Sequence, residues 1–152
     1  MNILQAEDAV NGREGIATAE IDGQIVELME LSNISITVQK NKEEFKAMGT
    51  RNVQNKTTGW TGTGSATVRY VSSRWGKIIE KYVKTGKDTY FTIVVTNEDP
   101  GSATGKQVLQ VLGCNLDSVD LAKLDIDTEV LDQDISFTFS DFNILQEFTA
   151  LN

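Results

Sequence analysis

The sequence predicts a mainly β fold, a sandwich or barrel-like sheet carrying one α-helix on its flank. Three observations carry this reading. Several segments alternate apolar and polar residues with a period of two, as half-buried strands do. One segment alone, Trp75, Ile78, Ile79, Tyr82 and Val83, follows the helical period. Between them lies a Gly- and Thr-rich tract, Thr50 to Gly64, with no period at all.

The elements follow in order. "EGIATAEIDGQIVELME" reads as a hairpin, because Asp22-Gly23 is a strong two-residue turn signal between β-type runs. "ISITV" is a strand with Ile34, Ile36 and Val38 on one face and Ser35 and Thr37 on the other. Residues 40–64 predict a long extended loop, with some pairing near Glu43 to Met48. Loops of this length are uncommon in compact domains and are usually functional. "SATVRYV" is a strand with Ala66, Val68 and Tyr70 on one side. The helix spans about 73–85. Ser72 or Ser73 can cap it, Lys81 and Lys84 suit its negative end, and Gly86 can stop it. Its stripe of Trp75, Ile78, Ile79, Tyr82 and Val83 is the expected core face. "TYFTIVVTNED" and "KQVLQVLGCNL" are strands joined through "PGSATG", and "ISFTFSDF" is a further strand. A single domain, 1–152, is expected. Within it, 1–11 is an N-terminal arm and 143–152 a C-terminal arm.

Composition narrows the chemistry. The chain has no histidine and one cysteine, which removes the Ser-His-Asp triad, the Cys-His pair and most zinc sites. Cys114 lies in an apolar run and reads as a small buried hydrophobe. A net charge of −8 opposes a basic nucleic-acid footprint. "MNILQAEDAV" carries no signal-peptide pattern, and no run approaches the ~18 apolar residues of a membrane span. The chain is therefore expected to be made in a cytoplasm, and the glycosylation patterns "NIS" and "NKT" read as chance.

The motifs that suggest ligands fail on spacing. "GSATGKQ" has three residues between its glycines where a P-loop needs four, and Gln107 stands where the magnesium hydroxyl belongs. "GWTGTG" precedes a strand, so no helix N-terminus could hold pyrophosphate. "DIDTEVLDQDIS" places acids at positions 1, 3 and 5 of a calcium loop, Asp125, Asp127 and Glu129. Val130 and Ser136 then occupy its glycine and glutamate positions. No cofactor, metal or catalytic residue is assigned. Trp60 is unexplained by any core pattern, and burial against another chain is the expected account.

Three segments carry a resemblance: "NKTTGWTGTGSATVRYVSSRW", "EKYVKTGKDTYFTI" and "LDIDTEVLDQDISFTFSDF". In this order and spacing the chain resembles the tail tube proteins of contractile phage tails of the PBSX-like prophage and phage-tail-like bacteriocin type, over roughly Gly12 to Phe142. The resemblance implies a structural, non-enzymatic subunit. It implies six-membered rings formed by joining sheet edges, stacked into a hollow tube inside a sheath. Implied partners are the chain itself, the tail sheath, tape-measure, baseplate and tail-terminator proteins, with DNA only as passing cargo. Implied assembly is in the bacterial host cytoplasm, into a virion tail or phage-tail-like particle.

Under this reading the expected inter-subunit contacts are Phe45, Met48, Asn55, Trp60, Thr61 and Thr63. The expected lumen positions are Ser35, Thr37, Ser136 and Thr138, in a bore made acidic by the net charge. Unpaired sheet edges, a liability in a monomer, become an assembly device if copies pair them. The competing readings are a tube protein of another contractile injection system, a small carbohydrate- or ligand-binding β-domain using Trp60, and an enzyme using a carboxylate pair.

Overall fold

The computed structural model describes residues 15–28, 31–69, 73–98, 105–122, 124, 127 and 131–148. Eight strands and one helix occur in the order β1 (Gly15–Ile21), β2 (Gln24–Glu27), β3 (Leu31–Lys46), β4 (Val53–Arg69), α1 (Arg74–Thr85), β5 (Phe91–Glu98), β6 (Lys106–Val119), β7 (Asp132–Phe139) and β8 (Asp141–Gln146). All pairings are antiparallel. The path runs β2-β1-β5-β6-β7-β4-β3, with β8 also on β6.

The register explains how one path becomes two layers. β8 pairs with Val108–Leu112 and β7 with Asn115–Val119, so together they run along the length of β6. The line bends where Gly113 meets Ser140. Gly113 has a φ of +67°, and Ser140 donates its N–H to the Leu112 carbonyl at 3.1 Å. A side chain at Gly113 would be strained by that φ and would strike Ser140 Oγ. One half of the ladder continues into β5, β1 and β2, the other into β4 and β3.

The two halves close on one core. Phe91 and Ile93 of β5, Val111 and Cys114 of β6, and Ala66, Val68, Ile135, Phe137 and Phe139 of β4 and β7 belong to a single buried cluster. Phe91 joins the halves, its ring centroid 6.1 Å from Phe137 and 5.7 Å from Trp75 of α1. Burial pushes the Cys114 thiol up to about 12, against an opposing backbone hydrogen bond at Ile93. Cys114 is thus the buried hydrophobe its run predicts.

The expected first hairpin is present. Asp22 and Gly23 both take positive φ, +52° and +80°, which suits the twist of the flanking strands. α1 ends as predicted, with Gly86 at φ +74° donating to the Tyr82 carbonyl. Its start differs, because the Ser73 side chain makes no capping hydrogen bond.

Three expectations are corrected. Residues 40–64 are not an unpaired loop: 40–46 and 53–64 are paired strands of a β3–β4 hairpin, joined through 47–52. In the helix stripe, Trp75 is buried and Ile78 and Ile79 pack against the core. Tyr82 and Val83 are exposed, at 50% and 70%, because the helix outruns the surface beneath it. Within the segment 143–152, Asn143–Gln146 is a strand on the chain's own β6 rather than an arm. The remainder of that arm beyond 148, the N-terminal arm 1–11, and Tyr70, Ser72, Gly101, Asp125, Glu129 and Val130 lie outside the described residues.

Candidate assembly interface

The Gly/Thr tract acquires its meaning from β7. In β4 the residues Gly62, Gly64, Ala66 and Val68 face inward and alternate with Thr61, Thr63 and Ser65. Gly62 pairs with Phe139 and Gly64 with Phe137. A Cβ on Gly62 would stand 2.5–2.8 Å from the Phe139 ring, and one on Gly64 would meet the Phe137 ring even more closely. The glycines are the floor on which two phenyl rings lie. Their role is packing, and the signal sits about seventy residues away in the sequence.

β4 pairs with β7 only from Gly62 onward, whereas it pairs with β3 back to Val53. Residues 39–46 and 53–61 therefore form a two-stranded ribbon beyond the body. A bulge at Asn41/Lys42 interrupts it, where Thr58 Oγ1 donates to the Asn41 carbonyl at 3.1 Å. Such a ribbon is marginal by itself. It carries apolar side chains in the open: Phe45, Val53 and, at the turn, a fully exposed Met48. Asn55, opposite Glu44, is also exposed.

Trp60 stands at the base of the ribbon. Its ring lies 6.0 Å from Phe139 and 6.3 Å from Phe142, yet 43% of the residue remains exposed. Its own chain thus covers about half of it. Phe45, Met48 and Asn55 share the ribbon, Trp60 and Thr61 stand at its root, and Thr63 belongs to a different surface.

That surface is the outer face of β3, β4, β7 and the end of β6. Thr37, Thr63, Thr138 and Asn115 form one row across it, and Ser35, Ser65, Ser136 and Ser118 the next. The four predicted polar positions, Ser35, Thr37, Ser136 and Thr138, are therefore brought together. Ser118 and Ser136 share a hydrogen bond of 2.7 Å. Charge enters at one end: Arg69 bridges Asp132 at 2.9 Å, and Asp134 accepts from Thr67 Oγ1 at 2.9 Å. Sequence reasoning missed Ser65, Ser118 and Asn115, which the alternation would have supplied once the register was known. It also missed β8.

Among the described strands, β2, β3 and β8 each have one neighbour. β3 thus presents a free edge along 16 residues. Unpaired N–H and C=O groups in such an edge are a template for another chain.

A bent β-sheet whose described edge strands are long and a projecting apolar-tipped ribbon leave surface suited to a protein neighbour. Comparison with known proteins gives the family. The chain belongs to the phage tail tube protein family, whose model matches residues 2–146. It is 37% identical over 147 residues to the uncharacterized protein YqbM of Bacillus subtilis strain 168, covering 97% of each chain. It is 36% identical to the phage-like element PBSX protein XkdM of the same organism, covering 96% of this chain and 97% of that one. Among solved structures, a chain of an extracellular contractile injection system, from its PVC sheath–tube complex in the extended state, has the same fold. It gives a TM-score of 0.69 at 10% identity over 93% of this chain and 94% of that one. A chain of the anti-feeding prophage tube-terminating cap gives 0.70 at 12% identity over 96% of each.

Proposed function

We propose that this structural tube subunit builds the inner tube of a contractile phage-like tail from six-membered rings that stack. The unpaired edges of β3 and β8 supply the lateral pairing, and the β3–β4 ribbon reaches an adjacent ring. The observation that carries this is the ribbon: Phe45, Met48 and Val53 are exposed on an element too thin to have its own core. Phe45, Met48, Asn55 and the open side of Trp60 are the contacts assigned to neighbours. Thr61 and Thr63 lie beside the lateral seam.

The hydroxyl face of Ser35, Thr37, Ser136 and Thr138 lines the bore in this arrangement. Asp134, beside the Arg69–Asp132 ion pair, leaves that end of the bore with a net negative charge, which repels passing DNA. Sheath, tape-measure, baseplate and tail-terminator proteins are the remaining partners. Assembly proceeds in the host cytoplasm, and the subunit catalyses nothing. The PVC and anti-feeding-prophage likenesses support a contractile machine through fold alone.

Negative-stain microscopy of the purified chain over a concentration series tests the proposal. Hollow tubes of constant width are expected at high concentration, with blue-shifted Trp60 emission. A chain that stays monomeric throughout, with unchanged emission, overturns it.

A further inference from the structure

The chain is acidic overall, but the outer ribbon is not. Residues 39–61 hold five basic side chains, Lys40, Lys42, Lys46, Arg51 and Lys56, against two acidic ones, Glu43 and Glu44. Toward the apex the acids drop out. From Phe45 to Val53 the charges are Lys46 and Arg51 alone, set among exposed Phe45, Met48 and Val53. The apex has a defined shape. Gly49 takes a φ of +84°, and the Asn52 N–H donates to Thr50 Oγ1 at 3.1 Å, with exposed Arg51 between them. Residues 53–61 extend about 30 Å at about 3.4 Å per residue, which carries Arg51 away from the body of its own chain.

The body offers the complement at the β1–β2 turn. Residues 15–28 contain Glu20, Asp22 and Glu27 and no Lys or Arg. Beside the turn lies an open groove of about 310 Å³, lined by Glu20, Asp22, Tyr90 and Gly113 among others and by no basic residue. Tyr90 is 65% exposed, and Ile25, opposite Glu20 on β2, is 77% exposed. The neighbouring elements do not reverse the sign. β5 carries only Glu98, which faces Lys106 at the far end of its ladder. The connection after α1 holds Lys87 and Asp88 together, and Asp141 stands opposite Leu112, next to Gly113.

We infer that the ribbon apex of one copy seats in this groove of another, with Arg51 on the Tyr90 ring beside the carboxylates of Glu20 and Asp22, and Met48 against Ile25. A guanidinium suits this groove better than an ammonium, because its plane stacks on an aromatic face while its edge donates to carboxylates. The occupant is a second copy because this chain carries the complement, basic and apolar, on an element that points away from its own groove. The charges select the seat, and the apolar side chains beside them supply most of the affinity. A contact between two different patches is heterologous, so repeated from ring to ring it continues along a tube. This inference rests on the stacked-ring reading above and adds to it the receptor for the ribbon.

Two arms test it on the full chain. In the first, Asn52→Cys and Gln24→Cys are combined and assembled tubes are treated with a short bismaleimide. A ladder of covalent multimers is expected, with none from either single variant, and buried Cys114 does not interfere. A ladder from Asn52→Cys alone would set apex against apex and overturn the inference, as would no ladder from well-formed tubes. In the second arm, Arg51→Glu raises the critical concentration for tubes at least tenfold, and Arg51→Glu/Glu20→Arg restores most of it. Both side chains are exposed, so melting of the unassembled variants should be unchanged. An unaltered threshold for Arg51→Glu, or no recovery in the double variant, would overturn the docking. If the unmodified chain forms no tubes, the ring reading fails. If it forms them and both arms are silent, only the seating of the ribbon in this groove fails.

Discussion

Replacing Gly64 with alanine tests whether the glycines of the Gly/Thr tract exist for packing. The new Cβ would sit 2.9 Å from Cε1 of Phe137 and closer still to Cζ and Cε2. The ring has no exit, because Phe137 is fully buried and Phe91 lies 6.1 Å away, itself backed by Trp75. Overpacking of this kind costs about 1–3 kcal/mol, and a ring trapped on two sides belongs at the upper end. Alanine recovers about 0.5–1 kcal/mol by reducing chain entropy in the unfolded state. The net expectation is a loss of about 2 kcal/mol, or about 4–8 °C in Tm for a domain of this size. Denaturant melts of the unassembled chain measure it. Gly59→Ala is the control: its Cβ would meet nothing nearer than Asn41 Nδ2 at 4.0 Å, so stability should stay within about 0.5 kcal/mol. Shrinking the ring in Gly64→Ala/Phe137→Leu should make the double variant less than additive by about 1 kcal/mol or more. A neutral Gly64→Ala, or strict additivity with Phe137→Leu, refutes the packing account.

Three further outcomes follow from the same geometry. Replacing Lys46–Val53 by a two-residue Asn-Gly turn should leave the melting of the monomer within about 1 kcal/mol, because the excised part lies beyond the core, yet abolish tubes in micrographs. Cys114 should resist thiol reagents at pH 8 until the chain unfolds. Its folded pKa is raised from 9.0 to about 12, so its contribution to stability is complete below pH 9 and is lost as pH rises toward 12, by at most about 1.4 kcal/mol per pH unit in melts of the native chain against Cys114→Ala. Asp132→Ala should cost less than about 1 kcal/mol in the same melts, since its bridge to Arg69 is substantially exposed.

What the sequence disclosed, and what it withheld, follows from the range of each interaction. Asp22-Gly23 was legible because the hairpin turn formed here takes positive φ at both positions, which Asp-Gly tolerates as a property of those residues alone. The helix and its Gly86 stop were legible for the same local reason. Gly62 and Gly64 were not, because the rings that require them come from β7. The ribbon looked like a loop because neither of its faces rests on the core, which erases the alternation that marks a half-buried strand. Tyr82 and Val83 looked like core because periodicity reports the stripe of the helix and not the length of sheet beneath it. β8 looked like an arm because the feature that holds it, continuation of the β6 ladder past the Gly113–Ser140 bend, is a matter of register.

Salt tests what holds the copies together in the proposed tube. Copies at −8 repel one another at long range, and by about 0.15 M salt, where the Debye length is about 8 Å, most of that repulsion is already screened. Raising salt to about 1 M shortens the length to about 3 Å and acts on charges near contact. Backbone pairing along β3 and β8 is indifferent to this step, and apolar contact at Met48 or Trp60 is not weakened by it. The critical concentration for tube formation should therefore stay level or fall between about 0.15 and 1 M salt. A threshold that instead rises over that interval would mean that attraction between opposite charges holds the copies together, and would refute assembly through the edges and apolar contacts.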